Sequence, residues 1–413
     1  MSADSRWAAA DAAREGDVQV LDAALTGARQ RTLALLTAYE QALGAALRVP
    51  FSPQLNPPLW EIGHIGWFQD YWIARNLQRS RGISCDPEHA RPAGRLAGAD
   101  ALYDSSIVAH AARWRLRLPD LEASREYLAA ALAETLDLLA RSATTPADLY
   151  FFRLVLLHEQ MHAEAATYMA QALELPLPEA LLAASRQGLP RPPTASLRVP
   201  AGEWLLGYQR PGFAFDNELA RHRVRLPAFA IDAEPVSWQR YLPFVVAGGY
   251  HNARYWSPAG WQWREASALA APRYLRCVDG QWQRRCFGQW QPLPMAAPAA
   301  HLSRFEAQAW CHWAQRRLPS EGEWECAALS ARSAQNFHWG EVWEWTASRF
   351  RPYPGFVAHP YRDYSAPWFD SRYVPRGGSW ATAAELAHPR YRNFFTAERN
   401  DIVSGFRSCA VEV

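Results

Sequence analysis

Apolar residues recur at helical spacing as far as about residue 182, and after about residue 197 short strand-like runs broken by turns take over. A chain whose period changes in this way has to build two different cores. Its length of 413 residues suits two domains. In the first part, Leu21, Leu25, Leu33, Leu36 and Tyr39 mark one helix. A second follows Asn56-Pro57-Pro58, where proline can occupy the first turn, and carries Trp60, His64, Trp67, Phe68 and Tyr71 on its apolar face. A third runs from about Leu121 to Leu139, and a fourth from Thr145-Pro146-Ala147-Asp148 to about Leu173. Four long amphipathic helices predict a four-helix bundle, whose interior is a common place for metal sites. Residues 80–119 form a connection long enough to be more often functional than idle.

Residues 1–185 are therefore read as a helical domain, 186–196 as a linker rich in Pro, Arg and Gly, and 197–413 as an α+β domain with much irregular structure. In the last of these, Leu197–Pro200 and His222–Leu226 read as strands, and Asp279-Gly280 within Arg276–Trp282 signals a hairpin. Ser303 with Glu306 and Ser320 with Glu323 have capping-box spacing, each opening a short helix.

The fourth helix contains His158-Glu159-Gln160-Met161-His162-Ala163-Glu164. Four residues turn an α-helix by roughly 400°, so both imidazoles leave the same face, one turn apart, and can share a metal ion. The same letters satisfy the H-E-x-x-H pattern of zinc hydrolases, in which Glu159 would be the general base. Glu164 lies roughly 120° round the helix and reads as a supporting carboxylate rather than a ligand.

The remaining composition narrows the field. A net charge of +2 gives no electrostatic case for nucleic acid or an acidic membrane surface. No run of about 18 apolar residues occurs, so no membrane span is expected. The N-terminus lacks a basic segment followed by an apolar run, so no secretory signal is expected either. The six cysteines form no C-x-x-C pair and read as reduced, cytoplasmic thiols.

Five segments after the linker occur in a telling order: Val199-Pro200-Ala201-Gly202-Glu203, Arg317-Leu318-Pro319-Ser320-Glu321-Gly322-Glu323-Trp324-Glu325, Val342-Trp343-Glu344-Trp345-Thr346, Arg376-Gly377-Gly378-Ser379-Trp380 and Ser404-Gly405-Phe406-Arg407. They resemble the formylglycine-generating-enzyme, or sulfatase-modifying-factor, domain, a C-type-lectin-like fold. The helical domain with its H-x-x-x-H-x-E resembles the DinB-like bundle. Together they resemble the ergothioneine sulfoxide synthase and selenoneine synthase family over nearly the whole chain. The segment Tyr103 to Arg117 and the total length are closer to the selenoneine branch.

The resemblance implies a non-heme iron(II) enzyme that uses O2 to join a selenium or sulfur donor to C2 of the imidazole of hercynine (trimethylhistidine). It implies that His64, His158 and His162 hold the iron, which agrees with the inward face assigned to His64. It places Asn393, Phe394, Phe395 and Met161 at hercynine, with Phe394-Phe395 where relatives often carry Trp-Asp, and Met161 where some carry Gln. A tyrosine serves as proton donor in the family. The candidates are Tyr353, Tyr361 and Tyr364, with Tyr361 preferred. The donor is expected to be a selenosugar, or alternatively γ-glutamylcysteine or cysteine, whose carboxylates would favour an arginine such as Arg75, Arg79, Arg81, Arg91 or Arg95. The readings from other classes are a non-catalytic lectin-like binder, a zinc hydrolase, and a formylglycine-generating oxidase. The last needs a cysteine pair near the C-terminus, where only Cys409 stands.

Overall fold

The computed structural model describes residues 7–182, 196–209, 211–330 and 333–411; the sequence-assigned linker falls almost wholly outside them. The first half is helical: α1 (Ala8–Glu15), α2 (Val18–Leu43), α3 (Pro58–Gln69), α4 (Ala99–Tyr103), α5 (Leu121–Ala140), α6 (Pro146–Ala172) and the short α7 (Glu179–Leu182). Side-chain caps set the starts of the long helices. Asp17 accepts from the Gln19 and Val20 amides, Asp120 from that of Ala123 and Thr145 from that of Asp148. Pro146 sits in the first turn of α6, where a missing N–H costs nothing.

Helix α3 departs from its expected amphipathic form. Every residue from Trp60 to Asp70 is buried, so it runs through the core rather than lying on it. It continues as a π-helical turn, Asp70–Ala74, which carries Tyr71 and Trp72. The long connection after it is also built, with a 3₁₀ turn at Arg79–Ser84, α4, and another 3₁₀ turn at His110–Arg115.

The second half contains β1 (Leu197–Val199), β2 (Gly202–Leu206), β3 (His222–Leu226), β4 (Phe229–Ile231), α8 (Trp238–Val246), α9 (Pro258–Ala266), β5 (Leu275–Val278), β6 (Gln281–Cys286) and β7 (Gln289–Pro292). Then follow α10 (Arg304–Trp313), β8 (Arg316–Arg317), α11 (Glu321–Leu329), β9 (Trp343–Arg349), β10 (Tyr373–Arg376), β11 (Ser404–Gly405) and β12 (Cys409–Ala410). The sheets are small, in the orders β1-β4-β12-β8, β10-β9-β11, β2-β3 and β5-β6-β7. The Asp279-Gly280 turn joins β5 to β6, with Val278 opposite Gln281. Both capping boxes form, at Ser303–Glu306 and at Ser320–Glu323.

Charged residues of the ordered motifs hold this half together from inside. Arg376 and Glu325 pair at 2.5 Å with neither side chain exposed. Arg392 grips Glu321 through Nε and Nη2 at 2.8 and 2.9 Å. Arg407 pairs with Glu344, whose Oε2 also accepts from Trp324 Nε1 at 2.7 Å. Gly377, with φ of +95°, lies against Trp324; a Cβ there would come within 2.8 Å of the indole, so the motif requires glycine.

The two halves share one core. The cluster around α3 and α6 takes in Phe213, Phe215, Trp343, Tyr364, Leu386 and Tyr391 from the second half. A fully buried Arg14–Glu218 pair at 2.6 Å adds a second tie, and Gln171 bonds the backbone of Arg285 and Phe287.

Candidate metal centre and its cavity

Helices α3 and α6 bring His64, His158 and His162 together, with one ring nitrogen of each within 4.8 Å of the other two. The Nε2 atoms of His158 and His162 are 3.2 Å apart. His64 donates its Nδ1–H to the Tyr103 carbonyl at 2.8 Å, and His162 donates its Nδ1–H to Glu61. These bonds select the tautomer that leaves Nε2 with its lone pair, as a metal ligand needs. Burial pushes the His64 imidazole down to about 3 and holds that of His158 well below the ordinary range. Both are therefore neutral at physiological pH. Three converging imidazoles, those of His64 and His158 neutral, fit a first-row divalent metal with positions left open.

Packing fixes the ring planes. His64 is sandwiched between Trp60 (4.8 Å between centroids) and Trp67 (5.6 Å). His158 stacks flat on Phe68 at 3.5 Å. Gly63 lets Tyr103 approach, since a Cβ at that position would fall 2.1 Å from the phenol ring. Behind His162, Glu61 also accepts from Asn56, and Asn56 Oδ1 accepts from Arg113 at 2.8 Å. Burial raises the Glu61 carboxyl, but His162 and Asn56 more than offset it and hold it down at about 2.

The neighbouring motif glutamates do other work. Glu159 is buried and held by Arg29 at 2.8 and 3.1 Å, which leaves it unavailable as a general base. Glu164 joins the halves, accepting at Oε1 from Trp343, Ser379 and Thr382.

A cavity of about 260 Å³ opens beside His162. Met161, Tyr364, Asn393, Phe394 and Phe395 all line it, as do Leu386 and Tyr391. Asn393 uses Oδ1 on the Phe394 amide, and its Nδ2 has no hydrogen-bond partner among the described residues. Tyr391 donates to Met161 Sδ at 3.3 Å, and its oxygen lies 3.1 Å from that of Tyr364. Tyr361 stands outside that lining but near the imidazoles, edge-on to Phe68 at 4.9 Å and 6.3 Å from His158. Tyr353 is elsewhere: its hydroxyl donates to Glu321 at 3.2 Å and Arg392 covers its ring, which makes it part of the ion-pair frame. A second cavity, about 150 Å³, shares Tyr168 with the first but touches none of the three histidines.

The arginines after His64 are largely committed. Arg75 forks onto Asp100 at 2.6 and 2.8 Å, Arg95 pairs with Glu134, and Arg91 bonds Asn76 at 2.7 Å. Cys409 is fully buried, and all six cysteines are free thiols. No helix among the described residues is long and apolar enough to cross a membrane.

Sequence reasoning missed Glu61, Tyr103, Phe68 and Tyr391 as parts of this site. Glu61 had a signal, three residues before His64 and on the same helical face. Tyr391 sits two residues before Asn393, and nothing local marks it.

Comparison with known proteins fits this anatomy. Residues 24–166 match the DinB superfamily, and residues 183–341 and 339–412 match the sulfatase-modifying factor enzyme 1-like domain. The chain is 33% identical to a hercynine oxygenase of Mycolicibacterium smegmatis, covering 92% of this chain and 96% of that protein. It is likewise 33% identical to a hercynine oxygenase of Mycobacterium tuberculosis, over 93% and 96%. A formylglycine-generating enzyme of Streptomyces coelicolor is 31% identical over 41% of this chain and 58% of its own length. Full-length similarity, both domain matches and the junction of the two halves at one histidine cluster agree: the chain belongs to the hercynine oxygenase family.

Proposed function

We propose that this protein is an O2-dependent, non-heme iron(II) enzyme that joins selenium, or failing that sulfur, to the imidazole C2 of hercynine. The observation that carries the reading is the set of three converging imidazoles, one of which, His162, lines a cavity walled by both halves of the chain. His64, His158 and His162 would hold the iron. Bound there, it would supply open positions for the donor and O2 and relay to O2 the electrons that the two substrates give up. In balance, hercynine loses its C2–H and the donor its Se–H or S–H, and the carbon–chalcogen bond forms. One oxygen atom goes to the chalcogen and the other leaves as water.

The chain's own residues bind, orient and protonate. Phe394, Phe395 and Met161 pack hercynine, and the Asn393 amide nitrogen is free to donate to it. Tyr361 is assigned the proton because, of the three candidate tyrosines, it stands against the histidine cluster edge-on to Phe68. Burial raises its phenol above the ordinary value, so it carries its proton at neutral pH.

The selenosugar reading rests on the resemblance of the Tyr103 to Arg117 segment and of the chain length to the selenoneine branch. The free cysteines suit a reducing cytoplasm. The test is to load the full-length protein with iron(II) without oxygen, add hercynine and each donor in turn, admit air, and read products by mass spectrometry. A selenium isotope pattern is expected with a selenosugar. A sulfur product from γ-glutamylcysteine alone would move the protein to the sulfur branch. Neither product nor O2 consumption would sink the proposal.

A further inference from the structure

The second cavity, of about 150 Å³, lies between α6, which lends it Thr167 and Gln171, and the β5-β6-β7 sheet, which lends it Arg284, Arg285 and Gln291. It is about as large as a cavity that holds benzene. Its charge is one-sided. Arg273, Arg284 and Arg285 line it, and Glu341 is the one carboxylate that does so among the described residues. Arg284 has neither a side-chain hydrogen bond nor an ion pair among the described residues. Arg273 donates to neutral amide oxygens, those of Gln54 at 3.3 Å and Asn400 at 3.2 Å. Arg285 pairs with Glu174, whose side chain is half exposed.

These groups crowd together. The guanidiniums of Arg273 and Arg285 stand 5.0 and 5.3 Å from the centroid of the Tyr274 ring, and His301 meets the same ring edge-on at 4.9 Å. Three buried nitrogens of the lining lack a hydrogen-bond partner: Nε of Arg284, Nε of Arg285 and Nδ1 of His301. Buried polar atoms left unpaired are rare and costly, so three in one cavity point to a ligand that completes them. Burial, and then Arg273, hold the His301 imidazole down at about 4, so the positive charge here belongs to the guanidiniums, which keep it at any physiological pH. A guanidinium fork matches a carboxylate. Tyr168, Trp238, Phe287 and Trp380 add flat apolar walls, which a bare inorganic anion would leave unfilled.

We propose that this cavity is a second binding site, which takes a small aromatic carboxylate and pairs its charge with Arg284. None of the three histidines lines it, so the site stands apart from the hercynine reading and is tested without turnover. Full-length, iron(II)-loaded protein is titrated by calorimetry under argon, at constant ionic strength, with benzoate, with its neutral isostere benzamide and with inorganic phosphate. The wild type is expected to bind benzoate at least about tenfold more tightly than either. Arg284→Gln removes the charge from a partly exposed strand position and is expected to abolish that preference with the circular dichroism unchanged. His158→Ala, in which the metal is lost, is expected to keep it, which separates this site from the metal centre. Equal binding of benzoate and benzamide by the wild type, binding of neither, phosphate bound as tightly as benzoate, a preference that survives Arg284→Gln, or one that a folded His158→Ala loses overturns the proposal. The wild-type comparison of the three probes stands even where a variant does not fold.

Discussion

Arg376 and Glu325 in the second half complete each other at 2.5 Å with no exposure, whereas Asn393 and His162 line a cavity and three imidazoles converge beside it. The two regions therefore handle buried polarity in opposite ways. In the lectin-like frame the motif carboxylates Glu321, Glu325 and Glu344 each meet an arginine within the protein. Around α3 and α6 three imidazoles converge instead, close enough together to hold a metal ion. The most conspicuous sequence motifs of the second half thus hold the fold, while the candidate site draws on a helix and on less conspicuous positions.

The comparison breaks most sharply at His158. His158→Ala is expected to abolish metal retention and turnover while leaving the helical circular dichroism intact; metal analysis and an O2 electrode decide it. Tyr361→Phe removes a proton donor but no ligand. It is expected to lower kcat by about 10²–10⁴-fold with metal content unchanged. On the other side, Arg376→Ala leaves Glu325 buried with Arg390 as its one charged partner among the described residues and Oε2 without its donor. A loss of about 3–5 kcal/mol is expected in denaturant titration, far beyond that of His158→Ala.

Glu306 sharpens the contrast because it is a carboxylate of the frame without an arginine. It is fully buried and takes neutral donors, Tyr250 Oη at 2.5 Å and the Ser303 amide at 2.7 Å. Burial pushes it from the usual 4.5 up to about 7. The folded state then binds a proton that the unfolded chain has released. This contribution to stability is complete below pH 4.5 and is lost as pH rises to 7, by about 3 kcal/mol. Glu306→Gln is expected to flatten that part of the stability profile. The smallest effect belongs to Glu61→Gln, which weakens the support behind His162. Metal affinity is expected to fall by about 10–100-fold, measured by competition with a chelator.

What could be read from the sequence was local. Thr145-Pro146 opens α6, Ser303–Glu306 and Ser320–Glu323 open α10 and α11, and Asp279-Gly280 turns a hairpin, because each uses contacts within a few residues. The H-x-x-x-H spacing is equally local, so the pair on α6 was plain. The helical-bundle-plus-lectin-like architecture followed from the change of period and the ordered motifs. Helix α1 was not foreseen. What escaped depends on distant segments meeting: Tyr103 supplies a carbonyl to His64 across 39 positions, and Tyr391 reaches Met161 across 230. Nor did periodicity reveal that α3 is submerged, since a helix buried all round keeps the spacing of one with a single apolar face.

The bond from Trp343 to Glu164 ties the first residue of β9 to α6, two positions beyond His162. It makes the lectin-like half a gauge for the histidine helix. A substitution that shifts β9 by a fraction of an ångström moves the imidazole with it, so loss of function can begin in a strand that touches no substrate. For the same reason, exchanging the second half for that of a distant relative would transmit a new spacing to the histidine cluster, even with every histidine retained.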